Sequence, residues 1–143
     1  MTTQPPYAKP IPLITPENER FWQGCKAHEL WLRFCNACAK PYYYPRDICP
    51  ICGARDVTWK QMSGKGTLHT FAIVHRAPTP AFREDVPFIT AIVDLDEGPR
   101  MMTNLVGIAP DPAKITVGMP VEVTFEDITE QISLPKFRPA AYP

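Results

Sequence analysis

Four of the five cysteines in this 143-residue sequence lie in two pairs whose spacing is typical of metal sites. Cys35 and Cys38 form the first pair, and Cys49 and Cys52 form the second, in the pattern C-x2-C-x10-C-x2-C. Two residues between cysteines allow both sulfurs to bind one ion, and two such pairs supply four thiolates in a tetrahedron. The pattern therefore predicts a metal site with Cys35, Cys38, Cys49 and Cys52 as its ligands.

Structural zinc suits this predicted site better than the alternatives do. Two disulfides would use the same cysteines, but the odd total of five and the lack of a signal-like apolar segment after Met1 favour a reducing, cytoplasmic compartment. Iron of rubredoxin type would also use four thiolates, but nothing else in the sequence suggests electron transfer. Four cysteines close the zinc coordination shell, so a structural ion is predicted. Cys25 is left as a spare thiol, expected to be buried in a helix.

No other motif predicts a catalytic or cofactor-binding residue. His28, His69 and His75 have no serine or cysteine nucleophile at a recognisable spacing, and H-E-x-x-H is absent from the sequence. Residues 64–66, Gly-Lys-Gly, resemble part of a phosphate loop, but a strand-like sequence follows them where a helix is needed. Tyr42 to Tyr44 could stack on bases, but we expect them to cover the cysteine pairs.

The first 30 residues are expected to form an arm and a helix. Residues 1–14 hold four prolines and little charge, so they predict an extended arm that lies on another surface. Thr15 is the predicted N-cap of a helix from Pro16 to Glu29. Its apolar stripe of Phe21, Trp22 and Cys25 is narrow, which leaves packing on its own protein and docking on a partner both open. Gly24 would allow a neighbour to approach closely.

The remainder of the chain predicts a zinc ribbon over residues 31–61 and a small five-stranded barrel over residues 62–143. Eighteen prolines against seven glycines disfavour long helices, and the fold class is mainly β. Alternating apolar residues predict short strands separated by turns. The five predicted strands are Thr67–His75, Phe88–Leu95, Arg100–Val106, Val121–Phe125 and Ile132–Phe137.

The charge balance disfavours a nucleic-acid partner. Fifteen basic and fifteen acidic residues give a formal net charge of zero. Residues 31–60 carry a formal +3, residues 61–143 carry a formal −3, and four thiolates with one divalent ion would add −2. Phosphate recognition usually requires a clear basic excess. No uncharged apolar run reaches the roughly 20 residues that a membrane span requires.

An ordered set of short motifs resembles one family of small proteins. The motifs are Phe21-Trp22, Glu29-Leu30, the cysteine pairs with Pro45-Arg46 between them, Gly64-x-Gly66, Asp96-Glu97-Gly98-Pro99-Arg100, Gly118-Met119-Pro120-Val121 and Leu134-Pro135-Lys136-Phe137. Together they resemble the zinc-ribbon plus OB-fold proteins associated with acyl-CoA enzymes, over about residues 15 to 139. Ala39 departs from the glycine that usually follows the first cysteine pair.

This resemblance implies a non-catalytic accessory subunit of a thiolase-like enzyme, either a thiolase or an aldolase that acts on CoA esters. The fold it implies is an N-terminal helix, a rubredoxin-like ribbon at the four cysteines and an OB barrel. The catalytic residues would lie on the partner, which this chain would stabilise while shaping the acyl-CoA entrance. Three alternatives stay open: a subunit of a CoA-ester hydratase, a module that binds single-stranded nucleic acid, and an iron-loaded electron carrier.

Overall fold

The computed structural model describes residues 7–141, and it confirms a mainly β fold with one α-helix. Helix α1 spans Glu19–Lys26. The strands are β1 Trp31–Cys35, β2 Lys40–Tyr42, β3 Val57–Gln61, β4 Lys65–Val74, β5 Phe88–Leu95, β6 Arg100–Leu105, β7 Pro120–Asp127 and β8 Ser133–Pro139. Two short 3-10 turns, Pro80–Phe82 and Pro112–Lys114, lie in loops.

Helix α1 is shorter than the predicted Pro16–Glu29, and its N-cap is Asn18 instead of Thr15. Residues 16–18 form a turn in which Asn18 N–H donates to the Thr15 carbonyl at 3.1 Å. The helix ends early because His28 has a left-handed φ of +60°. His28 N–H donates to the Cys25 carbonyl and Glu29 N–H to the Gly24 carbonyl, the two bonds of a Schellman C-terminus.

A three-stranded antiparallel sheet in the order β2-β1-β3 forms the ribbon. Its central strand carries Cys35 at its end, where Cys35 pairs with Lys40 of β2 and Val57 of β3. Helix α1 lies close to the start of this strand. A Cβ on Gly24 would lie 2.6 Å from Cδ1 of Trp31, so glycine is required for the close approach that the sequence suggested.

The last five strands close into a barrel in the order β4-β5-β6-β8-β7, which confirms the predicted five-stranded OB-type barrel. The predicted apolar face of β5 is buried at each alternate residue, Ile89, Ala91, Val93 and Leu95. Gly66 of β4 pairs with both adjacent strands, with Leu95 of β5 on one side and with Val121 of β7 on the other. A Cβ there would lie 2.4 Å from the Asp94 carbonyl oxygen, so this closure requires glycine.

One hydrophobic core joins the helix, the ribbon and the barrel. Phe21 and Cys25 of α1 are fully buried, and they belong to the same cluster as Leu32 of the ribbon and Leu68 of the barrel. Met62 N–H donates to the Leu30 carbonyl at 2.7 Å, which extends the β1–β3 pairing to the residue that leads into the barrel. The apolar stripe of α1 therefore packs on its own protein, and Cys25 is the buried helical thiol that was predicted.

Within residues 7–141, no helix is long and apolar enough to cross a membrane.

Candidate metal centre

The fold brings the four predicted cysteine ligands into one cluster. Their sulfurs all lie within 4.8 Å of one another. The Cys35 and Cys52 sulfurs are 3.5 Å apart, and the Cys38 and Cys49 sulfurs are 3.8 Å apart. Four sulfurs placed 2.3 Å from one tetrahedral zinc ion would be about 3.8 Å apart. The observed cluster therefore has the dimensions of a tetrahedral zinc site, and all five cysteines of the chain are free of disulfides.

Two turns of similar construction present the sulfurs. Cys38 lies in the turn between β1 and β2, while Cys49 and Cys52 lie in the loop that leads to β3. The second turn is closed by Gly53 N–H, which donates to the Cys49 carbonyl at 2.9 Å. Ile51 N–H points at the Cys49 sulfur, 3.4 Å away. Such backbone donors stabilise a thiolate in the way that a metal-binding turn requires.

Burial and hydrogen bonding act on the thiols in opposite directions. Burial disfavours ionisation of Cys49, but the backbone N–H groups of Cys52 and Ile51 outweigh it and lower the pKa of Cys49 to about 7. Burial, and hydrogen bonds with the neighbouring thiols, raise the pKa of Cys38 to about 12. Because a metal binds thiolates, loading this site at neutral pH must release protons. Metal binding should therefore weaken as the solution becomes more acidic.

The tyrosines next to the cluster divide into two groups. Tyr42 packs against Cys35 and Cys49 and donates its hydroxyl to the Arg46 carbonyl, so it covers the metal site as predicted. Tyr43 and Tyr44 instead face the helix, with their ring centroids 6.0 and 5.9 Å from that of Phe21. The prediction that Tyr43 and Tyr44 cover the cysteine pairs was wrong, because both rings pack against Phe21 on the apolar face of α1.

The three histidines occupy surface positions. His28 Nε2 lies 3.0 Å from Asp127 Oδ1, and its ring stacks on Phe125 at 5.3 Å. His69 Nδ1 lies 3.2 Å from Asp94 Oδ2. His75 is exposed just after β4 ends. His28 and His69 thus each contact an aspartate that is distant in the sequence. These structural contacts account for both histidines without a catalytic role.

The Gly-Lys-Gly motif at residues 64–66 leads directly into the barrel. Gly64 has a left-handed φ of +78°, and a Cβ there would lie 2.4 Å from Val123 Cγ1. Strand β4 begins at Lys65, so the motif enters a strand and has no helix N-terminus to bind a phosphate. Both glycines of the motif are explained by backbone conformation and close packing.

Several basic side chains of the ribbon contact aromatic or acidic residues of the same chain. The Arg33 guanidinium stacks 4.3 Å from the Trp59 ring centroid and pairs with Asp47 at 2.6 Å. Arg46 lies 4.9 Å from the Tyr44 ring, and Lys60 lies 4.9 Å from the Phe34 ring. These contacts hold the basic groups against aromatic surface of the same protein.

Two family models match consecutive parts of this chain. Residues 22–58 match "ChsH2, rubredoxin-like zinc ribbon domain" and residues 59–126 match "ChsH2, C-terminal OB-fold domain". A DUF35 domain-containing scaffold protein of Methanothermobacter thermautotrophicus is 33% identical over 68% of this chain and 71% of its own length. The chain belongs to the ChsH2/DUF35 family. The predicted resemblance is thereby confirmed, and the ribbon is a zinc ribbon by family and by geometry.

Other members of the ChsH2/DUF35 family carry more specific names. The probable enoyl-CoA hydratase alpha subunit of Thermomonospora curvata is 39% identical over 97% of this chain, which spans only 43% of that subunit's length. A chain of a solved structure described as the Ltp2-ChsH2(DUF35) aldolase is 36% identical, with a TM-score of 0.77 over 90% of this chain and 98% of its own length.

Proposed function

We propose that this chain is a zinc-stabilised accessory subunit of a CoA-ester enzyme. In this proposal the partner is a thiolase-like aldolase that supplies the catalytic residues, and this chain stabilises it and shapes its acyl-CoA entrance. The observation that carries the proposal is the similarity to a chain of the Ltp2-ChsH2(DUF35) aldolase, because it extends over 98% of that chain. A similarity over the whole of a partner-bound subunit supports the same kind of role here.

The proposed metal is one structural Zn²⁺ held by Cys35, Cys38, Cys49 and Cys52. Four thiolates leave no coordination position for water or substrate, so the ion would organise the ribbon and take no part in the reaction. A ribbon of about 30 residues buries little apolar surface, and zinc can contribute roughly 10–16 kcal/mol of apparent folding free energy to such a unit. A cytoplasmic location is part of this proposal, because reducing conditions keep the thiols available.

A hydratase subunit is the second candidate. The Thermomonospora curvata relative supports it, since that protein's name describes a probable enoyl-CoA hydratase alpha subunit. This chain spans 43% of that relative, so the remainder of the relative has no counterpart in this sequence. The aldolase candidate is supported by a match over 98% of the solved chain's length.

Exposed apolar side chains offer a surface for the partner. Leu13 in the arm is 79% exposed, and Ile48 beside the second cysteine pair is 44% exposed. Hydrogen bonds link the arm to the ribbon segment that precedes Ile48. Asn18 Nδ2 donates both to the Leu13 carbonyl and to the Tyr44 hydroxyl. Glu17 Oε2 also accepts from the backbone N–H of Asp47. Several exposed apolar residues in neighbouring segments, here Ile11, Leu13 and Ile14 of the arm with Ile48 and Ile51 of the ribbon, are more typical of an interaction site than a single exposed residue such as Val117.

Co-expression with a thiolase-fold enzyme of the same organism tests the proposal. The purified chain alone should be inactive, and the pair should co-purify and turn over a CoA ester with cleavage of a C–C bond. Leu13→Asp and Ile48→Asp should weaken the complex at least tenfold, whereas Val117→Asp, at a residue 59% exposed on the barrel, should not. Addition of water to an enoyl-CoA without cleavage would favour the hydratase candidate. Failure to form a complex would contradict both candidates.

A further inference from the structure

A cavity of about 540 Å³ lies between the N-terminal arm and the barrel. We call residues 7–10 of the arm, Tyr-Ala-Lys-Pro, the strap. Tyr7, Lys9 and Pro10 line one side of the cavity, and residues of β5, β6 and β8 line the other. The second and third strands of OB barrels form the face that usually receives ligands, and here these are β5 and β6. The strap therefore crosses the part of the barrel that is best placed to bind a molecule.

Lys9 fastens the strap to the barrel. Its Nζ lies 2.7 Å from Asp85 Oδ2 in the loop between β4 and β5. The same ammonium group lies 5.3 Å from the Tyr7 ring centroid and 5.8 Å from the Phe82 ring centroid. The Lys9 side chain is only 21% exposed, so this contact is partly shielded from water. An ion pair and two aromatic rings thus hold one side chain of the strap.

The cavity walls combine apolar side chains with polar ones, and they carry no unmatched charge among the described residues. Apolar walls are supplied by Phe82, Pro87, Phe88, Leu105, Ile108 and Leu134. Four charged side chains also line the cavity, and they form two pairs: Lys9 with Asp85, and Lys136 with Glu126 at 2.5 Å. Paired charges leave little to attract an ionic group such as a phosphate. The volume falls within the roughly 300–1,000 Å³ typical of small-molecule pockets.

We infer that the strap and the barrel together form a binding site for a neutral, apolar small molecule, with the strap as one of its walls. The inference is independent of the proposed partner enzyme, because it rests only on contacts within this chain. An apolar molecule in the cavity would replace water on the aromatic and aliphatic walls. It would leave both ion pairs intact.

Titration of the zinc-loaded full chain with Nile red, a neutral fluorescent dye, tests the site. We expect saturable binding of one dye per chain. Ile108→Trp would fill the cavity from a loop and should weaken binding at least tenfold, while Val117→Trp on the exposed barrel surface should change it less than twofold. Unchanged zinc content and thermal unfolding would show that both variants fold. Lack of saturable binding, or equal binding by Ile108→Trp, would overturn the inference.

Charge reversal tests the strap. Lys9→Glu and Asp85→Lys should each weaken dye binding about three- to tenfold, and the double variant Lys9→Glu/Asp85→Lys should return to within twofold of the native chain. Arg138→Glu is the control. It breaks a similar pair, in which Arg138 Nε lies 3.1 Å from Glu122 Oε1, and neither residue lines the cavity, so dye binding should not change. If the single variants bind as the native chain does, or the double variant is not restored, the strap is not a wall of the site.

Discussion

Ala39 and Gly53 occupy equivalent positions in the two metal-binding turns. Each follows the second cysteine of its pair, and both have a left-handed backbone, with φ of +56° at Ala39 and +80° at Gly53. The left-handed region costs a residue with a Cβ roughly 1–2 kcal/mol, whereas glycine enters it freely. The first turn therefore has the same conformation as the second without the residue that favours it.

Replacing Ala39 with glycine should stabilise the ribbon. Relief of the left-handed strain exceeds the entropy that glycine loses on folding, which is about 0.5–1 kcal/mol, so we expect a net gain of about 0.5–1 kcal/mol. Thermal unfolding of the zinc-loaded chain measures this gain. Gly53→Ala is the matched control, and it should lose about 1 kcal/mol although a Cβ there would meet no atom within 4 Å. Equal stability of all three chains would show that the strain is absent.

The cysteines should differ sharply in their effect on metal content. Cys49→Ala removes a proposed ligand, so the variant should lose stoichiometric zinc, unfold its ribbon and fail to bind its partner. Cys25→Ala removes a buried sulfur outside the cluster and should keep one zinc per chain at a modest cost in stability. Elemental analysis of both purified variants measures the difference. Full zinc occupancy in Cys49→Ala would show that the ligand assignment is wrong, and iron in place of zinc in the native chain would contradict the choice of metal.

Cys25 should also resist chemical modification. Burial raises the pKa of its thiol to about 12, so the reactive thiolate is scarce at neutral pH. Iodoacetamide at pH 8 should label Cys25 only after unfolding, as judged by peptide mass spectrometry. Labelling of the zinc-loaded folded chain at the rate of the unfolded chain would contradict the burial of this residue in the core.

Asp127 should stabilise the chain in a pH-dependent way. Hydrogen bonds from the Ser133 hydroxyl and then from His28 lower the pKa of Asp127 below its ordinary value of 3.8. A lowered folded-state pKa gives stability that is present above the ordinary value and lost as pH falls through the lowered one. The difference in urea midpoint between the native chain and Asp127→Asn should be positive at pH 6 and shrink below about pH 4. Zinc loss in acid lowers the stability of both chains and therefore cancels in this difference. A difference in urea midpoint that stays constant from pH 6 to below pH 4 would contradict the role of Asp127.

The metal site and the barrel could be predicted from the sequence because both are encoded locally. The spacing of the paired cysteines alone identifies the four residues whose sulfurs cluster in the fold. Strand β5 shows its buried face as the strict alternation of Ile89, Ala91, Val93 and Leu95. The predicted turn between β5 and β6 follows from Gly98 and Pro99 in the same way. In each case the residues that carry the signal are adjacent in the chain.

The features that sequence reasoning missed depend on distant contacts. Helix α1 ends at a left-handed His28, where glycine is the usual signal, and the His28 ring is held by Asp127 and Phe125 nearly 100 residues away. The strap is likewise positioned by Asp85, which lies 76 residues from Lys9. The sequence predicted an arm that lies on a surface, but no local pattern could identify the barrel as that surface for residues 7–10.

Native mass spectrometry of the complex isolated from the source organism tests the central claim most directly. With the chain tagged at its genomic locus, we predict a hetero-oligomer that contains a thiolase-fold CoA-ester enzyme and one zinc ion for each copy of this chain. Addition of a chelator under mildly denaturing conditions should remove the zinc and dissociate the complex. Recovery of this chain without any CoA-ester enzyme, or in a complex that stays intact without zinc, would contradict its role as a zinc-stabilised accessory subunit.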